Sequence, residues 1–209
     1  QRDTLDTQLN VFQDFHPKLP KAAQEAPYLF LGNIHPSLQT EVLHQSKARF
    51  LALDTMNLWI HTTLDTLKRV LARVDAIIIN DSEVKDLTGE ANVVKGALAV
   101  TQLGPRIVVV KKGEHGCLLF QENDVFALPA LPLREVVDPT GAGDSFAGGF
   151  MGYIAKAGTT DPATLRQAVV HGCVVASFTC EAFGPARLAT ITPDDIAKRF
   201  EIFRRLTAF

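Results

Sequence analysis

Long apolar runs are missing from this chain of 209 residues. No stretch approaches the ~20 consecutive apolar residues that a membrane-spanning helix needs, so no helical span is expected within it. Cysteine is scarce as well. Cys117, Cys173 and Cys180 stand in apolar settings, odd in number and without metal-ligand spacing, which argues against a disulfide framework or a cysteine-based zinc site. That usage suits a reducing cytoplasm. There is no excess of one charge either: the formal net charge is −2 and the basic residues are scattered, leaving no face for nucleic acid or an anionic membrane. The string Gly-x-x-x-x-Gly-Lys-Ser/Thr does not occur, which excludes a P-loop site. The opening residues Gln1-Arg2-Asp3-Thr4 have no signal-peptide character. Without an initiating Met, the expectation is that something upstream is missing.

What is present is the composition of an ordinary folded protein, 46% hydrophobic and 21% charged, long enough for a true core. Short apolar runs at 28–31, 50–53, 76–79 and 107–110 read as strands, with helix-length segments at about 37–46, 61–73 and 92–103 between them. Strands that are apolar at consecutive positions need cover on both faces. That predicts a mostly parallel sheet inside a three-layer α/β/α sandwich. From Lys111 to about Val137 the pattern turns to hairpins, with Gly113 and Gly116 around a tight reversal before strands at 117–120 and 125–128. The remainder predicts helices at about 141–157, 161–182 and 193–207, the last opened by Thr192-Pro193-Asp194-Asp195. No linker or repeat divides residues 1–209, so one domain is expected.

The chemistry concentrates in Asp138-Pro139-Thr140-Gly141-Ala142-Gly143-Asp144-Ser145-Phe146-Ala147-Gly148-Gly149-Phe150. Gly141 and Gly143 allow a tight backbone, and the first N–H groups of the helix that follows have no intrahelical acceptors. With the helix dipole added, Gly141, Ala142 and Gly143 form an anion hole suited to a phosphoryl group in flight. Asp144, in the first turn, can accept the proton of an attacking hydroxyl. The small residues Ala147, Gly148, Gly149 and Gly152 would press this helix onto the sheet. Gly and Asp also serve as plain capping residues at helix starts.

The complete string resembles the C-terminal signature of the ribokinase-like, or PfkB, family of carbohydrate and nucleoside kinases. The resemblance implies that Asp144 is the catalytic base and the Gly141–Ala142–Gly143 backbone the anion hole. Asn80-Asp81-Ser82-Glu83 is similar to the family's Asn-x-x-Glu, implying that Asn80 and Glu83 arrange Mg2+, its waters and the ATP phosphates. A hydrated hard cation accepts such outer oxygens, although a simple capping box would look the same. Val110-Lys111-Lys112-Gly113-Glu114-His115-Gly116 resembles the strand and turn that contact ATP, implying Lys111, Gly113 and Gly116 at the nucleotide. Lys111 departs from the Thr often found there, and a solvated hairpin tip is the alternative.

Asp138 resembles a position that, with carbonyls near Gly184, helps coordinate a monovalent cation such as K+; a turn role is the alternative. Asp54-Thr55-Met56-Asn57 is similar to the Asp-x-x-Asn of sugar kinases, without the Arg that follows in fructokinases. Asn33 and His35 close the first strand, where a His most often caps locally. Cys173 and Ser177 suit either an adenine pocket or core packing.

The likeness begins near Leu29. The family's N-terminal section, with the first strands, the Gly-Gly motif and most of a lid, is not seen, and residues 1–15 with Val11 and Phe15 would be a lid remnant. The expectation is therefore the retained part of a longer ATP-dependent kinase acting on a sugar hydroxyl. A nucleoside acceptor, or a nucleotide-binding fragment without turnover, is the alternative. Relatives of this kind often dimerise through their lids, so a homodimer stands as an open expectation. A dinucleotide-binding oxidoreductase is disfavoured because Phe146 occupies the third glycine position of its fingerprint.

Overall fold

The computed structural model describes residues 8, 10–12, 14–122 and 124–208. Much of the stretch 1–15, expected as a lid remnant, lies outside the described residues; Val11 and Phe15 within it are exposed.

Six strands form one sheet in chain order: β1 (Tyr28–Leu31), β2 (Phe50–Asp54), β3 (Ala76–Asn80), β4 (Ile107–Lys111), β5 (Cys117–Gln121) and β6 (Asp124–Leu128). The first four are parallel, β5 runs antiparallel to β4, and β6 antiparallel to β5. β1 is an edge of this sheet. Parallel strands in sequential order require right-handed crossovers, which place their connecting helices on one face. Those helices are α2 (Pro36–Gln45), α3 (Asn57–Thr62), α4 (Leu64–Leu71), α5 (Asp81–Thr88) and α6 (Val93–Thr101), preceded by the short α1 (Lys21–Gln24). The opposite face carries α7 (Ala142–Ala157), α8 (Pro162–Thr179) and α9 (Pro193–Leu206).

Because side chains alternate along a strand, the sheet divides two cores. Leu53, Ile77, Ile79, Val108 and Val110 pack with Leu67, Val70 and Val84 on the crossover side. Ala52, Ala76, Ile78, Ile107 and Val109 meet Phe146, Phe150 and Ile154 of α7 and Val169 of α8 on the other. Each large aliphatic or aromatic side chain so buried contributes about 1.5–3 kcal/mol.

Two expectations are corrected. The helix anticipated over 61–73 is divided into α3 and α4 at Thr63, whose φ −138° and ψ 35° leave the helical region. The small residues of α7 do not all seat it on the sheet. A Cβ at Gly149 would meet His171 O at 2.8 Å and Gly172 Cα at 3.0 Å on α8, whereas Gly148 and Gly152 face open space. The close approach is helix against helix.

On that face His171 of α8 stacks on Tyr153 of α7 at 4.4 Å and lies 5.0 Å from the Phe200 ring of α9. Burial, then the charge of Lys156, holds its imidazole below the ordinary 6.5. Above that value the ring is neutral in folded and unfolded chains alike, and its contribution is fully present. As pH falls through 6.5 the unfolded chain takes up a proton that the folded one resists, so stability drops until the folded value is passed. His171→Phe keeps the stack and removes the proton site. Comparing melting at pH 7.5 and 5.5, the variant should lose less stability than the parent; equal losses would overturn this account.

Candidate active site

β2, β3 and β4 each end in a polar residue: Asp54, Asn80 and Lys111. Each lies two positions beyond a residue packed against α7 and α8, namely Ala52, Ile78 and Val109, so the alternation puts all three on the α7 face. Asn80 and Lys111 are register partners. At this carboxyl end of a parallel sheet the crossovers leave a crevice, the usual place for ligands in open α/β folds.

Lys111 reaches across the strand ends to Asp54, with Nζ 3.7 Å from Oδ2 and both side chains largely buried. Desolvation raises the Asp54 carboxyl above its ordinary value, the Lys111 charge opposes that, and the charge of Asp144 adds to it. Asp144 is exposed in the first turn of α7. Burial likewise raises Glu83, with Asp54 adding to the effect.

Asn80 and Glu83 form a reciprocal capping box at the start of α5. Asn80 Oδ1 accepts from the Glu83 N–H at 2.8 Å and from Ser82 Oγ at 2.7 Å; the Asn80 N–H donates to Glu83 Oε2 at 3.0 Å. The capping alternative is realised, and it fixes a buried carboxylate beside the Asp54–Lys111 pair. Among the described residues no three acidic, His or Cys side chains form a ready metal cage.

Gly141 precedes α7 in the left-handed region, φ 81° and ψ 0°, with no side-chain cap. The Ala142 N–H donates to Pro139 O at 3.1 Å, so it closes the entry turn. Gly143 and Asp144 follow it in the first turn, where N–H groups have no intrahelical acceptor. A Cβ placed on Gly143 would stand 3.1 Å from Lys111 Nζ, so the ammonium lies against the helix start. Asp138 Oδ1 accepts from the Thr140 N–H at 3.0 Å. Its loop is tied to the end of α8 by the Val137 N–H to Cys180 O bond of 2.8 Å, where burial raises the Cys180 thiol and the charge of Asp138 adds to it.

Beside this point opens a cavity of about 600 Å³. Lys111, Gly113 and Gly116 line one side and Ala142, Gly143 and Phe146 another. Cys173 and Ser177 of α8 close a third, with Leu131 and Leu133 of the β6–α7 loop opposite. Cys173 Sγ lies 3.7 Å from Cys117 Sγ, and that contact, with burial, pushes the Cys173 thiol well above its usual range. The Cys173 sulfur thus adds neutral, soft wall rather than reactive thiolate. Asp144, Asn80 and Glu83 do not line the cavity; Asn80 is the register partner of Lys111, Glu83 shares the capping box of Asn80, and Asp144 follows Gly143 in α7. Away from it, His35 caps α2 by accepting from the Ser37 N–H at 3.2 Å, and Asn33 Oδ1 accepts from Trp59 Nε1 at 2.8 Å. The Asp54–Lys111 pair and the Leu131–Leu133 wall went unnoticed in the sequence.

Fold and site together define a three-layer α/β/α protein with a glycine-led helix start beside a cavity at the carboxyl end of its sheet. Residues 8–191 match the pfkB family carbohydrate kinases, and the chain belongs to that family. Similar to it is the cytidine kinase of Thermococcus kodakarensis, 31% identical over 141 residues, which are 65% of this chain and 50% of that protein. The chain thus spans about half the length of that curated relative. Among solved structures, a fructokinase from Vibrio cholerae with fructose, ADP and calcium bound superposes with TM-score 0.74 at 22% identity, covering 93% of this chain and 64% of that one. An Escherichia coli protein assigned as ribokinase II, bound to ATP and Mg2+, gives 0.68 at 22% identity over 84% and 59%. The fold is therefore ribokinase-like.

Proposed function

We propose that this chain carries the nucleotide-binding and phosphoryl-transfer part of an ATP-dependent kinase whose acceptor is a sugar hydroxyl. One observation carries the reading: Gly143 backbone and Lys111 ammonium meet at one end of a nucleotide-sized cavity, and Asp144 follows Gly143 in the same first turn of α7. The cavity suits adenosine, with Cys173 and Ser177 at the base, Gly113 and Gly116 along the turn, and the phosphates directed toward Gly143. Amides of Gly143 and Asp144 would stabilise charge on the transferring group. Asp144 would orient the acceptor hydroxyl and take its proton, a role in which placement matters more than basicity because the transition state is loose.

The donor set fits Mg2+ in one form. With no three-ligand cage among the described residues, the ion would be held chiefly by phosphates and water, with Glu83 and Asn80 accepting from its waters. Bound there, it would neutralise charge on the phosphates. Asp138, beside the end of α8, is the proposed contributor to a monovalent cation site.

A nucleoside acceptor is the second reading, favoured by the similarity to a cytidine kinase. ADP release from the full-length protein, screened over hexoses, pentoses and nucleosides, decides between them. One acceptor class should raise release well above the acceptor-free rate. If none does while ATP binds, the chain is a nucleotide-binding module without turnover; if ATP does not bind, the site is misassigned.

A further inference from the structure

Both carboxylate oxygens of Asp54 and its backbone carbonyl have partners. Its backbone oxygen accepts from Gln39 Nε2 at 3.2 Å, its Oδ1 accepts from the Thr55 N–H at 2.8 Å, and its Oδ2 faces Lys111 Nζ at 3.7 Å. The residue is 6% exposed, so the carboxylate has little freedom to turn. Asp54 and Lys111 belong to strands that are not neighbours, since β3 lies between β2 and β4. Strands two apart are separated by about 9–10 Å. The pair meets only because the lysine stem lies back over the end of β3, and that path carries its ammonium under Gly143.

A buried ion pair is a poor way to gain stability, because desolvation offsets most of the attraction. Desolvation is the dominant influence on the Asp54 carboxyl here, with Asp144 opposing ionisation as well. A lysine left alone at this place would be free to swing into the 600 Å³ cavity that it lines. Holding it costs something, and the benefit lies in where the ammonium is held.

We infer that Asp54 is a positioning residue for phosphoryl transfer, clamping Lys111 so that its ammonium stands beside the Gly143 amide where the transferring phosphate gathers charge. The inference rests on the reading of the α7 start as the phosphoryl site. It also accounts for a Lys at 111: a cation at this position works only with an anion fixed opposite it, and Asp54 is that anion.

The test is a double-substitution cycle on the full-length protein with Asp54→Asn, Lys111→Met and both together, reading kcat, ATP affinity and melting temperature. Asp54→Asn keeps the shape and the Thr55 contact but releases the ammonium. A misplacement of about 1 Å is enough to cost on the order of 10- to 100-fold in kcat. ATP affinity should hold or tighten, because one negative charge near the phosphates has gone. In the Lys111→Met background the same substitution should add almost no further loss, since there is no ammonium left to position. The inference is overturned if the two losses in kcat multiply, or if Asp54→Asn weakens ATP binding and melting in step with kcat, as a merely structural residue would. An inactive parent protein would overturn it together with the kinase reading; an active parent with multiplying losses would overturn it alone.

Discussion

Asp144→Asn is expected to lower kcat by about 10²- to 10⁴-fold, the usual share of a positioned proton acceptor, while leaving ATP affinity nearly unchanged. The separation follows from geometry. Asp144 lies in the first turn of α7 and is exposed, and the cavity proposed for the nucleotide is lined by its neighbours Ala142, Gly143 and Phe146 rather than by it. Asn preserves size, the backbone N–H at the proposed anion hole and the helix start. What it lacks is the capacity to accept a proton. Its loss of charge also relieves the Asp54 carboxyl, on which Asp144 acts, so any change in phosphate affinity should be toward tighter binding. Steady-state ADP release and calorimetric ATP titration on parent and variant check both halves. Phosphorylation at the parent rate would remove Asp144 from the role of base, and a parallel loss of ATP binding would make it a nucleotide contact instead.

The elements most open to reading were those set by burial. Runs such as Ile77-Ile78-Ile79 and Val108-Val109-Val110 are apolar at every position because one side chain faces α4 to α6 and the next faces α7 and α8. That pattern announces a sheet covered twice. Reading by hydrophobicity, however, ends each strand where the apolar residues end. In the structure β2, β3 and β4 each continue one residue further, and the added residues are Asp54, Asn80 and Lys111. Backbone pairing extends into the polar tip because the sheet has not yet run out of neighbours. Of those tips Lys111 lines the cavity, with Asp54 paired to it and Asn80 beside it in register.

The site was legible where chemistry is local and obscure where it depends on tertiary neighbours. A glycine-bracketed turn before a small-residue helix marks a candidate anion site from sequence alone. Which amides remain open is a matter of fold: Ala142 closes a turn on Pro139 O. The Asn80–Glu83 spacing likewise fits a capping box and a metal-water acceptor equally well, and the structure builds the box in a way that leaves the carboxylate buried beside the Asp54–Lys111 pair. Nothing in residues 54 and 111 announces that they meet. Their distance in sequence is bridged by two crossovers and the alternation of three strands.

The largest expected effect on stability falls at Gly116. Its backbone, φ 87° and ψ −139°, is one that only glycine adopts readily. The space is also closed: a Cβ there would stand 2.0 Å from Leu128 O, 2.6 Å from Pro129 C and 2.7 Å from Ala130 N. These are backbone atoms, so no rotamer change relieves them, and the turn whose Lys112 N–H donates to Gly116 O at 2.8 Å must deform. Gly113, three residues earlier, also has positive φ, 55°, but a Cβ there would meet open space. Alanine at 113 should therefore cost about 1 kcal/mol, and alanine at 116 about 3 kcal/mol or more, a fall in melting temperature on the order of 10 °C for a chain of this size. Because Ala130 and Leu131 line the cavity next to Gly116 and Lys111, the displaced segment should also weaken ATP binding at 116 far more than at 113. Thermal melting and ATP titration of the two variants, side by side, give the answer. Equal melting temperatures would mean that the β6–α7 segment yields to the new side chain without cost, and that the cavity wall is softer than its packing implies.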